Sequence, residues 1–145
     1  MRAIIGIAAV MMAGVAPAMA GVVSDSFENG GGCYVRKYDA AHMRAHPDQV
    51  VSQINLELSP DQVERKRTVL AFEFTLRQGS RYSADAYCTA NDRCSLEADG
   101  GEFTLRAEGK AIRLTVGDFL ALEGDEDFSP NLADSDDRVF LLNPC

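Results

Sequence analysis

The chain has no tryptophan and only two histidines in 145 residues. It also lacks a Gly-x-Ser-x-Gly motif, the turn that exposes the nucleophile of many serine hydrolases. Its four cysteines form an even set, and full oxidation would leave no thiolate nucleophile. Pairs of carboxylates are easily found among 22 acids and therefore carry little weight. We predict that the protein is not an enzyme and uses no cofactor.

Long apolar runs are scarce, and the one that occurs lies at the N-terminus. Met1-Arg2 precedes an apolar segment from Ala3 to about Val15, and Ala18-Met19-Ala20 follows. A basic start, a short apolar core and an Ala-x-Ala site are typical of a secretory signal peptide, and the run is too short to span a bilayer. We expect cleavage after Ala20, a periplasmic or secreted protein, and no membrane insertion after cleavage.

Residues 21–32 are mostly small and polar and end in Gly30-Gly31-Gly32. Such a composition offers little to bury, so we expect a flexible leader here. Residues 33–145 are predicted to be a single domain, long enough to bury a core of its own.

Positive charge is also scarce, because 14 Lys and Arg stand against 22 Asp and Glu, a net charge of −8. Loss of residues 1–20 would remove one base, Arg2, and no acid. The phosphates of nucleic acids require a basic face, so we expect no nucleic-acid partner. A basic protein or a cation is the more natural partner.

An even cysteine count in an exported chain predicts two disulfides. Four cysteines allow three pairings, and we favour Cys88 with Cys94, across one hairpin, and Cys33 with Cys145, at the two ends of the domain. The alternative is a zinc site of four thiolates, but its usual pairs of closely spaced cysteines are absent from the sequence.

Strict alternation of apolar and polar residues runs through residues 70–116, as a strand with one dry face requires. The predicted inward residues are Leu70, Phe72, Phe74, Leu76, Tyr82, Ala84, Ala86, Cys88, Cys94, Leu96, Ala98, Phe103, Leu105, Ala107, Ile112, Leu114 and Val116. Short glycine or Asx turns separate these runs, the pattern of consecutive antiparallel hairpins.

Further strands are predicted over residues 33–38, 53–58 and 138–142, and a short helix over Ala40–Ala45, capped by Asp39 and ended before Pro47. The fold class is therefore all-β: an antiparallel meander of about eight strands. It must hide its edges by closing into a small barrel or by forming a barrel-like sandwich. Because several inward residues are alanine, we expect a filled or narrow barrel.

The two histidines, His42 and His46, would share one face of a continuous helix and are weak candidates for zinc ligands. Pro47 weakens that interpretation, because it draws His46 out of the helix. A purely structural interpretation explains the pair equally well: one histidine packs against the helix and the other is exposed.

Residues 118–137 contain eight acids and no lysine or arginine. The candidates for partner binding are Asp125, Glu126, Asp127, Asp134, Asp136 and Asp137. Calcium prefers such oxygen ligands, but their spacing does not match an EF-hand loop. Three interpretations of this stretch remain: a solvated loop, a calcium site, or a docking surface for a basic protein. We predict an exported, non-catalytic protein that binds through its surface, with metal binding (calcium or zinc) as the alternative.

The segment Cys33-Tyr34-Val35-Arg36-Lys37-Tyr38-Asp39, together with His46-Pro47-Asp48-Gln49, opens the domain. Arg93-Cys94, Gly100-Gly101 and the ending Asp136-Asp137-Arg138-Val139-Phe140-Leu141-Leu142 follow. This pattern resembles a group of small exported proteobacterial proteins of unknown function. The resemblance implies export and transfers no activity.

The segment Gly79-Ser80-Arg81-Tyr82-Ser83 is similar to the Ser-Gly-x-x-Tyr turn of the periplasmic C-type lysozyme inhibitors, which are small disulfide-linked β-barrels, although Gly and Ser are exchanged here. This second resemblance implies a β-barrel that inhibits a lysozyme, which would itself be a basic partner.

Overall fold

The computed structural model describes residues 21–62 and 67–145, so the predicted signal peptide lies outside the described residues. The described strands in chain order are β1 (Cys33–Lys37), β2 (Val51–Leu58), β3 (Thr68–Leu76), β4 (Arg81–Cys88), β5 (Arg93–Leu96), β6 (Gly101–Glu108), β7 (Ala111–Leu120) and β8 (Val139–Pro144). Each strand pairs antiparallel with the next, and β8 pairs with β1. The sheet is thus a closed barrel, and the prediction of a small all-β barrel is confirmed.

Three short helical segments accompany the barrel in the described ranges: a π-helical turn (Val23–Glu28), α1 (Ala40–Ala45) and a 3-10 turn (Leu132–Asp134). Asp39 caps α1 as predicted, since its carboxylate accepts the His42 N–H at 2.7 Å. None of these described helices is long and apolar enough to cross a bilayer.

The predicted alternation accounts for most of the interior. Phe72 lies opposite Leu56 on β2 and Ala84 on β4, so residues of one face meet across neighbouring strands. The interior combines aliphatic side chains with five phenylalanines that are at most 1% exposed. They are Phe27, Phe72, Phe74, Phe103 and Phe140.

Two alanines predicted to face inward, Ala98 and Ala107, are exposed. Ala98 lies beyond β5, which ends at Leu96, and has a left-handed φ of 52° in the following turn. Ala107, the second-last residue of β6, is exposed although the residue opposite it on β7, Ile112, is buried. Alanine is small enough to fit either face, so its position in an alternating run did not determine its burial.

The barrel closes over a short seam, with only Tyr34↔Pro144 and Val35↔Asn143 paired between β1 and β8. The Cys33–Cys145 disulfide lies at its end, and the Cys145 N–H donates to the Cys33 carbonyl at 3.0 Å. The second bridge joins Cys88 and Cys94 across β4 and β5. Both predicted disulfides are confirmed, and two disulfides indicate an oxidising, extracellular type of compartment.

Residues 21–32 differ from the expectation that they bury little. Val23 and Phe27 are buried on the π-helical turn, and the Phe27 ring lies 5.3 Å from that of Tyr34 on β1. The Asp92 carboxylate accepts the N–H groups of Val22 and Val23 at 3.0 and 2.9 Å. The segment therefore closes one end of the barrel, because two apolar side chains sit four residues apart on one turn.

We expect Phe27→Ala to lower the free energy of unfolding by about 3–5 kcal/mol, as for other large-to-small core changes. Asp25→Ala, an exposed change on the same turn, should cost under about 0.5 kcal/mol. Urea melts of both variants test this, and equal costs would show that the Phe27 side chain does not contribute to the core.

Candidate functional site

The connections between strands alternate between the two ends of the barrel, because consecutive strands of an antiparallel meander run in opposite directions. One end carries α1, the turns at residues 77–80 and 97–100, and the long connection 121–138. We call this the acidic end. The Asp137 carboxylate accepts the Val50 N–H at 2.7 Å and so joins the long connection to the start of β2. The predicted histidine and acidic candidates therefore all lie at one end.

The barrel wall is incomplete beside β4. Strand β5 has four residues and pairs with β4 only from Ala86↔Leu96 to Cys88↔Cys94. Residues 81–84 of β4 consequently have no partner from β5. The first part of the long connection lies beside this gap, where Gly124 and Asp127 contact Tyr82.

That segment, residues 121–129, is an ordered turn that we call the acidic hairpin. Glu123 and Phe128 form an antiparallel bridge, and the Gly124 N–H donates to the Asp127 carbonyl at 2.7 Å. Leu122 and Ser129 exchange two hydrogen bonds: the Ser129 N–H donates to the Leu122 carbonyl at 2.8 Å, and the Leu122 N–H donates to Ser129 Oγ at 2.9 Å. These bonds order the backbone of the hairpin that carries the acids.

Tyr82 connects the hairpin to the core. Its buried ring stacks on Phe74 at 5.5 Å, and its hydroxyl donates to Asp127 Oδ1 at 2.8 Å. The hydrogen bond to the carboxylate raises the pKa of Tyr82. Gly124 lies so close to this ring that a Cβ atom there would be 2.7 Å from a ring carbon. The hairpin thus depends on a glycine at this position.

A cavity of about 250 Å³ opens between Ser83 and Ala84 of β4, the turn at residues 97–100, and the stretch from the end of β7 into the acidic hairpin. Phe119, Leu122 and Phe128 contribute apolar walls, and the acidic residues Glu97, Asp99 and Glu123 also line the cavity. One carboxylate oxygen of Glu97 accepts the Asp85 N–H at 3.0 Å. We call it the aromatic groove. Phe128 is 70% exposed and Phe119 47% exposed, which is unusual for phenylalanine.

The turn on one side of the aromatic groove has an unfavourable backbone. Ala98 and Asp99 have left-handed φ angles of 52° and 57°, and the Gly100 N–H donates to the Glu97 carbonyl at 3.1 Å. Each left-handed residue other than glycine costs about 1–2 kcal/mol. Two such residues in a row form a type I′ turn, which is the favoured two-residue connection between hairpin strands such as β5 and β6, and the turn places Glu97 and Asp99 beside the groove.

The six acidic candidates do not share one environment. Asp125, Glu126, Asp134 and Asp136 are exposed, and Asp127 is exposed but bonded to Tyr82. The ion pairs within the described residues lie elsewhere, between Arg81 and Glu73, Arg93 and Glu102, and Arg113 and Glu108. The exposed acids of the hairpin are therefore not neutralised by any of these bases.

Asp137 is only 2% exposed and cannot serve as a docking residue. Its carboxylate accepts the N–H groups of Val50 and Val51 and the hydroxyl of Ser135, the last at 3.0 Å. Burial raises the pKa of Asp137 in spite of these donors. Composition alone could not separate this structural acid from its exposed neighbour Asp136.

His42 and His46 lie in a stack of rings rather than in a cluster of ligands. Their ring centroids are 4.3 Å apart, and Tyr38 stacks on the other side of His42 at 4.5 Å. Gln49 donates its amide to the Val51 carbonyl, so its Oε1 accepts from His42 Nε2 at 2.9 Å. That nitrogen carries a proton and is not free for a metal. No group of three or more His, Cys, Asp or Glu side chains in the described residues could hold a metal ion.

Phe119 and Phe128 were missed as site residues by the sequence analysis. Phe119, together with Leu120 and Leu122, would be expected to anchor the acidic connection, but only Leu120 and Leu122 are buried. The sequence feature that could have indicated the site is Phe128, a single aromatic residue between Asp127 and Ser129-Pro130. It has no apolar neighbour in the sequence, which argues against a place in the core.

Comparison with models of known protein families, with curated proteins and with solved structures gives no match to this chain. The two resemblances based on short motifs therefore stay predictions.

We expect Asp137→Ala to lower the free energy of unfolding by about 2–6 kcal/mol, because the buried Val51 N–H and the half-buried Val50 N–H would lose their acceptor at about 1–3 kcal/mol each. Asp136→Ala removes the same charge from an exposed position and should cost under about 0.5 kcal/mol. Chemical denaturation of the two variants is the measurement. Similar values for both would contradict the assignment of Asp137 as a structural residue.

Proposed function

We propose that this protein is exported to the periplasm or secreted, after cleavage of its signal peptide following Ala20, and that it binds a basic protein through its acidic end without catalysis. The N-terminal pattern of residues 1–20 supports export, and the two disulfides suit the oxidising compartment that export would reach.

The observation that carries this proposal is the acidic hairpin. Asp125 and Glu126 are exposed at its tip, and the hairpin is fixed by its own hydrogen bonds and by Tyr82. A fixed concentration of one charge raises the rate of association with a cationic partner and is screened by salt. The order of the hairpin keeps Asp125 and Glu126 together at one place on the surface.

Inhibition of a lysozyme is a more specific form of the same proposal. The segment that resembles the lysozyme inhibitors, residues 79–83, begins in the turn between β3 and β4 at the acidic end. Gly79 has a left-handed φ of 101° in that turn. Tyr82 of this segment donates to Asp127, so the motif and the acidic hairpin are in direct contact.

A strongly basic lysozyme is the first probe. We expect Asp125→Asn/Glu126→Gln to weaken its binding about tenfold at low salt, since each exposed charge pair contributes up to about 1 kcal/mol. The variant should also show a shallower dependence of affinity on salt. Asp127 is left intact because it anchors the hairpin to Tyr82.

The matched control is Asp25→Asn/Asp61→Asn, which removes two exposed charges near the opposite end of the barrel. This control should change the affinity less than twofold. Calorimetric titration across a salt series distinguishes the variants. Two results would contradict the proposed docking surface. One is an affinity that changes neither with salt nor with the hairpin substitutions, and the other is an affinity that both variants lower equally.

A further inference from the structure

We propose that the aromatic groove binds one cationic side chain, an arginine or lysine of the basic partner. This inference rests on the proposed function and names the chemistry of its contact. The aliphatic stem of the side chain would pack between Phe119 and Phe128, and its charged group would meet Glu97, Asp99 and Glu123.

The size of the groove points to a single side chain. Its volume of about 250 Å³ lies below the roughly 300–1,000 Å³ typical of sites for drug-sized ligands. It is also bounded by the hairpin, by the end of β7, by Ser83 and Ala84 of β4 and by the turn at residues 97–100. One long side chain that projects from a partner surface suits this space.

The exposed aromatic residues supply the apolar part of the contact. Covering an exposed phenylalanine side chain removes apolar surface from water and so favours binding, and Phe128 is 70% exposed in the free protein. Aromatic ring faces also attract cations, most strongly when water is excluded. Such a residue beside a pocket has the properties of a binding hot spot.

The carboxylates select the charge of the occupant. Glu97 and Asp99 lie on the strained turn and Glu123 lies on the hairpin, so the acids approach the groove from two sides. An anionic side chain would be repelled, and a purely apolar one would strip water from the acids without replacing it. Arginine and lysine combine an apolar stem with a charged head and satisfy both surfaces.

The groove is ready to bind before a partner arrives. The bridge between Glu123 and Phe128 and the hydrogen bond from Gly100 to Glu97 hold its two acidic sides. Rigid walls reduce the conformational entropy lost on binding.

The test uses three small probes that share a backbone: acetyl-arginine amide, acetyl-citrulline amide and acetyl-norleucine amide. Citrulline keeps the shape of arginine without its charge, and norleucine keeps an apolar stem. Titration followed by NMR should show saturable shifts of the Ala98, Gly100 and Phe128 amides with arginine. Citrulline and norleucine should bind at least tenfold more weakly, and equal binding of citrulline would overturn the proposal.

Phe128→Ser should abolish the saturable shifts with arginine and leave the fold intact, because the side chain is largely exposed. Val139→Ser, at an apolar residue that is 46% exposed on β8 and does not line the groove, is the matched control and should bind as the wild type does. Unchanged arginine binding in Phe128→Ser would overturn the proposal, as would a dimer of the wild type that Phe128→Ser dissociates.

Basic-protein binding separates this inference from the proposed function. If Asp125→Asn/Glu126→Gln weakens the binding of lysozyme and Phe128→Ser does not, the aromatic groove is excluded while the acidic docking surface stands. The opposite result is that the arginine probe binds in the groove while the hairpin substitutions do not change the affinity for any basic protein. In that case the groove is a cation site and the proposed docking surface is excluded.

Discussion

A closed sheet hides its edges only where every strand is hydrogen-bonded on both sides, and the rest of this structure depends on how the chain meets that requirement. Two places fall short. The seam between β1 and β8 has two paired positions, and the Cys33–Cys145 disulfide reinforces it. The four-residue β5 leaves half of β4 without a partner on one side, and the acidic hairpin lies beside that half.

The gap beside β4 determines where a partner can bind. Because the hairpin must stay on the barrel wall, its hydrogen bonds and its contact with Tyr82 are needed for the fold. The same bonds set Phe128 and Glu123 opposite the strained turn at Ala98 and Asp99, and the aromatic groove lies between them. A requirement of the closed sheet thus generates the surface that we assign to partner binding, and the acids keep that surface soluble.

Much of the barrel could be predicted because its signals are local. Alternation identified the interior around Phe72, and the positions of Cys33 and Cys145 indicated closure. The missed features depend on tertiary contacts. Phe27 fills a barrel end that a glycine-rich segment gave no reason to expect, and the groove brings together three segments distant in sequence. The different burial of Asp136 and Asp137 likewise depends on β2, far away along the chain.

The central claim is that the acidic hairpin is an ordered part of the barrel in the free protein. Amide hydrogen exchange followed by NMR tests it directly. The account predicts protection of the Leu122, Gly124 and Ser129 amides, whose N–H groups are bonded within the hairpin, and fast exchange at the exposed tip residue Glu126. Exchange at the rate of an unstructured chain throughout residues 121–129 would contradict it, because the groove would then not exist before binding.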